Sequence, residues 1–301
     1  MGQMSLLPSS PIPDAENFRY SSARIKVLET KLLSESDFLR FKNLSPQARI
    51  QSMRDAYPWF TSDDFDAQAG IFFYDVLDRF SSECNSPDLA IFFLIPKAMS
   101  QLQMILEGAP KSKYPVPFIT EFTNTRDLET LPEPIRTAAN EAKVFYDSSD
   151  KSEARRHLTS CLITMLSGSR FFKLPYFTDV VTHWIDLLSC HLLISTIIRK
   201  GTFQGLKGGT FEIQSDMNFT QLSKALGIND PSPYAIEIAL DEKLFKTVSR
   251  ARQITAGPEV VFAYFWELER EIRNAAMLLA GARVAIPPEE LERAYRRTYA
   301  S

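Results

Sequence analysis

The sequence predicts an all-α protein, and three observations carry that prediction. Glycine is scarce, 11 in 301 residues against an average usage of roughly 7%, and four of the eleven (Gly201, Gly205, Gly208, Gly209) fall in one nine-residue stretch. The remainder of the chain therefore has little of the residue that tight hairpins and phosphate loops require. Helix-start chemistry recurs along the chain, and few stretches read as strands.

Taken in order, Tyr20–Leu33 places Ile25, Leu28 and Leu32 on one helical face, with Val27 and Leu33 beside them. Ser45-Pro46, Ser86-Pro87 and Ser232-Pro233 each read as a helix start, because serine accepts from the first free N–H groups and proline in the first turn has none to leave unpaired. Thr61-Ser-Asp-Asp64 opens another helix, with carboxylates at its positive end. Gly257-Pro258-Glu259 opens a long one, expected to run to about Leu279 before Gly281, and Pro287-Pro288-Glu289-Glu290 a short terminal one rich in arginine (Arg293, Arg296, Arg297). The best strand candidates are Tyr114–Phe122, weakened by Pro115 and Pro117, and Phe211–Ile213. About a dozen helices are expected.

A coarse repeat accompanies these elements. A long apolar-faced helix, a breaker and a short helix occur three times: Leu32-Leu33 into SESDFLRF, Ile197-Ile198 through the glycine cluster into NFTQLSKAL, and Leu278-Leu279 into PPEELERAY. The long helices superpose at offsets of 165 and 246 residues, with paired aliphatics and a shared arginine (Arg24, Arg270) in common.

Composition narrows the function classes. Apolar residues are 45% and charged residues 24%, the profile of a folded chain with a substantial core. A net charge of −3 argues against a general nucleic-acid binder and offers no attraction to anionic lipid. Three distant cysteines (Cys84, Cys161, Cys190) point to free thiols in a reducing compartment. The first residues, MGQMSLLPSSPIPDAE, lack a signal-peptide pattern and suggest a flexible lead-in over 1–17, with one helical domain over 18–301. Leu158–Ser169 and Leu187–Ile198 are uncharged over twelve residues each, short of the roughly 20 that a bilayer span needs.

Reactive motifs are missing. There is no Gly-Lys dipeptide for a P-loop, no G-x-S-x-G, no H-E-x-x-H, and none of the three histidines (His157, His183, His191) completes a Glu-x-x-His pair. Cys190-His191 reads either as a catalytic dyad or as a buried thiol beside a rim histidine; neighbours on a helix point about 100° apart, which favours the second. Asp63, Asp64 and Asp66, with Asp75 and Asp78 beyond, read as a metal site or, better, as helix-start capping. Gly201-x-x-x-Gly205-x-x-Gly208-Gly209 follows a helix rather than a strand, so a helix-exit loop fits it better than a phosphate loop. Trp184, Trp266 and the stripe Phe72, Phe73, Phe92, Phe93 read as core. The expectation is no catalytic residue, no cofactor and no metal, with partner-contact residues unassigned; the glycine-rich loop after Arg199-Lys200 and the basic tail are candidate contact regions.

Three segments, in order, resemble one family. They are FRYSSARIKVLETKLLSESDF near the start, LPYFTDVVTHWIDLLSCHLLISTIIRKGTFQGLKGGTFEI in the middle, and GPEVVFAYFWELEREIRNAAMLLAGARVAIPPEELERAYRRTYA at the end. In the last, the pattern Gly257-Pro-Glu259, Ala263-Tyr264, Glu269, Glu271-Ile272, Asn274, Leu278-Leu279, Gly281, Ile286-Pro287 and Glu289-Glu290-Leu291 is similar to the C subunit of the bacterial and archaeal V-type/A-type rotary ATPases, a relative of the eukaryotic d subunit. The middle helix departs from the family at Cys190 and Leu193, where an acidic residue and an asparagine are expected. The resemblance implies an all-helical funnel of three similar subdomains with pseudo-threefold symmetry. It implies a non-catalytic rotor subunit at the cytoplasmic face of the membrane, seated on the proteolipid ring and receiving the central stalk (subunits D and F), so that ATP hydrolysis or synthesis is linked to ion transport. No nucleotide and no nucleic acid would bind. Two other readings remain open at this point: a free-standing helical scaffold, and an enzyme using the Cys190/His191 region.

Overall fold

A computed structural model describes residues 15–108, 116–198, 218–284 and 286–296. Along the chain the helices are α1 (Ala15–Glu29), α2 (Glu35–Lys42), α3 (Pro46–Ala56) and α4 (Phe65–Glu83). Then come α5 (Ile91–Leu106), α6 (Thr120–Thr125), α7 (Ile135–Asp147), α8 (Lys151–Gly168), α9 (Pro175–Ile198), α10 (Phe219–Leu226) and α11 (Pro233–Ser249). The last two are α12 (Pro258–Val284) and α13 (Pro288–Ala294). Short 3-10 turns punctuate them, and there is no strand among the described residues, so the fold is all-α.

Contacts group the chain into two compact units. The terminal unit joins Pro13–Ala90 to Ser249–Ser301, and the middle unit holds Ile91–Val248. In the terminal unit α12 is the hub, packed against α1, α2, α3, α4, α13 and the 3-10 turn Arg250–Gln253. Its first half, Val260–Leu268, is apolar on almost every side, as a helix covered all round must be. Phe265 meets Phe73 and Phe80 of α4 edge-on, at 5.8 and 5.7 Å between ring centroids. Further along, Ala275, Leu278 and Leu279 join Phe38, Phe41, Met53, Tyr57, Phe60, Phe65 and Leu291 in one apolar cluster.

The middle unit packs α8 against α5, α7 and α9. Phe92, Phe171 and Phe177 form its aromatic centre. A second cluster, Cys190, Leu193, Leu222, Ile236 and Leu240, binds α9 to α10 and α11. At the end of α5, Glu107 accepts from Arg155 of α8 (2.6 Å) and from the Tyr146 hydroxyl of α7 (3.2 Å), which ties three helices at one carboxylate.

Most helix starts follow the predicted chemistry. Ser45, Asp64 and Ser232 accept from Ala48, Ala67 and Ala235 amides at 3.3, 3.2 and 3.2 Å. Ser86-Pro87 opens a 3-10 turn, Pro87–Ala90, ahead of α5. Both short helices of the first two repeats begin with a capping box, Ser34 with Asp37 and Asn218 with Gln221.

Four expectations need correction. The strand over Tyr114–Phe122 is, from 116 onward, a 3-10 turn and then α6; Pro117 sits in the first turn, where its missing N–H costs nothing. The first helix stops at Glu29 rather than Leu33: the Thr30 hydroxyl bonds back to Val27 and the Leu33 amide goes to Glu271. That helix begins at Ala15, inside the expected lead-in. The last long helix runs through Gly281 to Val284. A Cβ on Gly281 would lie 2.7 Å from Leu291 Cδ2, so this glycine serves a close approach by α13 and not a helix stop. Phe211–Ile213, residues 1–14 and the loop over 199–217 lie outside the described residues.

Candidate functional site

The sequence candidates for chemistry resolve first. Cys190 is fully buried in the apolar cluster, and burial, with the charge of Glu237, pushes its thiol up to about 12. His191 lies about half exposed, its Nε2 3.7 Å from Glu237 Oε1. One faces the core and the other the rim, and the high thiol pKa removes the thiolate that a nucleophile needs. Asp64 caps α4, and Asp63 pairs with Arg54 at 2.8 Å. Among the described residues no three His, Cys, Asp or Glu side chains converge as a metal-ligand set. Phe73, Phe92, Phe93 and Trp266 are buried, while Phe72 stacks on Trp59 at 5.0 Å. The glycine cluster and Arg199-Lys200 lie outside the described residues, as do Arg297 and the Arg293 side chain.

What remains is a polar seam in the terminal unit. Glu267, Arg270, Glu271 and Asn274 sit at i, i+3, i+4 and i+7 on α12, on one face of that helix, and none is more than 6% exposed. Buried polar groups demand partners, and for Glu271 and Asn274 the partners include backbone. Glu271 Oε2 accepts the Leu33 N–H at 3.0 Å, where α1 has ended and α2 is about to begin. Burial raises the Glu271 carboxyl to about 7; the Leu33 amide and the Tyr57 hydroxyl oppose that rise, and the charge of Asp37 adds to it. The Tyr57 hydroxyl faces Glu271 without closing a well-formed hydrogen bond, so it offsets only part of the desolvation.

One turn on, Asn274 works in both directions. Its Nδ2 donates to the Arg296 carbonyl (2.7 Å) and its Oδ1 accepts from the Arg296 amide (3.1 Å), so a single side chain satisfies both backbone groups of the C-terminal segment. Leu291 fills the space that Gly281 leaves open, and Lys42 of α2 pairs with Glu292 of α13. At the head of α12 the Gly257 amide donates to Ser22 Oγ of α1 at 3.3 Å. Gly257 has φ 155°, and a Cβ there would run into the Glu259 carboxylate, so this position requires glycine.

Arg49 completes the arrangement from α3. Its buried guanidinium donates to the carbonyls of Phe41 (3.1 Å), Lys42 (2.6 Å) and Leu44 (3.3 Å) at the end of α2, and to Leu278 (3.3 Å) on α12. Burial lowers its pKa, yet a guanidinium stays charged. Four backbone carbonyls, three of them at or just past the end of α2, thus share one cation.

This arrangement holds chain segments against one helix; it presents no nucleophile with a base beside it and no oxyanion donors. Glu271, Asn274 and Gly281 belong to the family-like sequence pattern, but their roles do not show there. Arg49 was missed altogether. The only sequence signal for it is an arginine eight residues past Phe41, within reach of the α2 end across a short turn.

The comparisons agree with the pattern. No curated protein matches the chain. Residues 207–294 match the family model of the ATP synthase (C/AC39) subunit. The matched stretch contains α10 to α13 and the whole of the seam on α12.

Proposed function

We propose that the chain is the rotor subunit that couples the central stalk, subunits D and F, to the membrane proteolipid ring, and that it performs no catalysis itself. The family match implies a component of a V/A-type ATPase, and it is the observation that carries this reading. Two features of the molecule support a mechanical role. The terminal unit is locked by directional bonds to backbone at several points on one helix. Among the described residues no helix is long and apolar enough to cross a membrane, as suits a subunit that meets the membrane through the ring.

A threefold repeat of helical subdomains belongs to the same proposal. At the offsets set by the sequence, Ser21 of α1, Asp186 of α9 and Glu267 of α12 share one position and are 1%, 1% and 0% exposed. Four residues on, Ile25, Cys190 and Glu271 share another and are 0%, 0% and 2% exposed. The same face is buried in each long helix, and the first of these positions is polar in all three. This supports descent of the helices from one unit.

The test is co-elution. The recombinant chain is expected to co-elute with the D–F pair over a range of salt and to show no ATP hydrolysis alone. A chain that stays monomeric in the presence of the pair would overturn the rotor assignment and leave the scaffold reading.

A further inference from the structure

Glu271 is a carboxylate only 2% exposed, and among the described residues no Lys, Arg or His side chain lies within ion-pair distance of it. A charge so placed loses its hydration without gaining a counter-ion, and the least costly response is to hold a proton. The groups around it keep that balance. From α2 it faces Asp37, which adds negative charge, and from the end of α3 the Tyr57 hydroxyl. Along α12 itself stand Tyr264, Glu267 and Arg270. Cations on the packed elements are engaged: Arg24 of α1 with Glu83 of α4, Lys26 with Glu29, Arg40 with Asp37, Lys42 with Glu292 of α13, Arg54 with Asp63, and Arg49 with four carbonyls. The turn before α12 carries Arg250 and Arg252.

We propose that Glu271 is a proton-operated latch on the α1–α2 turn, holding Leu33 and the start of α2 against α12 while it carries a proton and releasing them when the proton is lost. The protonated carboxyl keeps Oε2 as an acceptor for the Leu33 amide, 3.0 Å away, and needs no water. The ionised form needs hydration, and opening the turn at Leu33–Ser34 admits it. Ser34 is the N-cap of α2 and Asp37 its capping-box partner, so opening there unseats the first turn of a helix only eight residues long. The sign follows from linkage. The folded carboxyl sits at about 7 against an ordinary value of 4.5, so its contribution to stability is full below the unfolded pKa and is lost as pH rises through the folded one. The window is therefore about pH 5 to 8, the range in which carboxylates elsewhere on a surface have already ionised.

Amide hydrogen exchange on the full chain tests this, without any ATPase partner. After correction for intrinsic rates, protection of Leu33 and the α2 amides is expected to fall about tenfold between pH 5.5 and 7.5. In Glu271→Gln, which keeps an acceptor oxygen and cannot ionise, protection should stay level. Equal protection at both pH values in the wild type, or the same fall in the variant, would overturn the proposal. Should the variant not fold, carboxyl carbon NMR of wild-type Glu271 decides: a proton lost near neutrality supports the latch, and full ionisation at pH 5.5 overturns it.

Discussion

The long helices α9 and α12 occupy equivalent places in the proposed repeat, yet at two equivalent positions they hold neighbouring segments by opposite means. On α9, Cys190 and Leu193 sink into an apolar cluster with Leu222 of α10 and Ile236 and Leu240 of α11. On α12 the equivalent residues are Glu271 and Asn274, which bond to the backbone at Leu33 and Arg296. Apolar packing is non-directional and tolerates small slides of one helix on another. Hydrogen bonds to single amides and carbonyls fix one atom against one atom, and they lose most of their worth once geometry drifts. One architecture therefore carries a compliant joint and a keyed one.

Exchanging the chemistries is the strongest way to break the comparison. Leu193→Asn places an amide among Leu222, Ile236 and Leu240 with no partner in that cluster, and should cost about 4 kcal/mol from lost burial plus an unmet polar group. Urea unfolding followed by a probe in the middle unit reads this; a loss under about 1 kcal/mol would mean that α9 is not sealed. Next in size is Arg49→Met, which keeps the stem and removes all four guanidinium bonds to carbonyls. A loss of about 3 kcal/mol is expected, seen as a lower urea midpoint and as exposure of the α2–α3 turn to protease. The smallest effect belongs to Asn274→Leu, which imports the α9 residue into α12. It should cost about 2 kcal/mol and show chiefly as faster C-terminal trimming by carboxypeptidase, because Arg296 loses both of its backbone bonds.

The sequence was most legible where structure is local. Ser45, Asp64 and Ser232 reach amides three residues away, and their helices begin where expected. It was least legible where a residue answers to a distant one. Gly281 reads as a stop because most glycines near a helix end are stops, whereas here it accommodates Leu291. The first helix ends early because the Leu33 amide is taken by a carboxylate 238 residues away in the chain. Val116–Phe122 has strand-like composition and turns helical because Pro117 suits a first turn. The seam shares this character. Glu271 and Asn274 were visible as residues in a pattern, but their backbone partners carry no side-chain signature. Arg49 looks like any surface arginine until α2, α3 and α12 are folded together.

That arginine has a mechanical consequence. A guanidinium is flat and keeps its charge, and from α3 it reaches the last carbonyls of α2 and one carbonyl in the body of α12 at the same time. A twisting load applied at the end of α2 cannot be absorbed by fraying of its final turn, since the carbonyl oxygens there are already gripped. The load passes through a rigid plane of atoms into the 27-residue helix that forms the spine of the terminal unit.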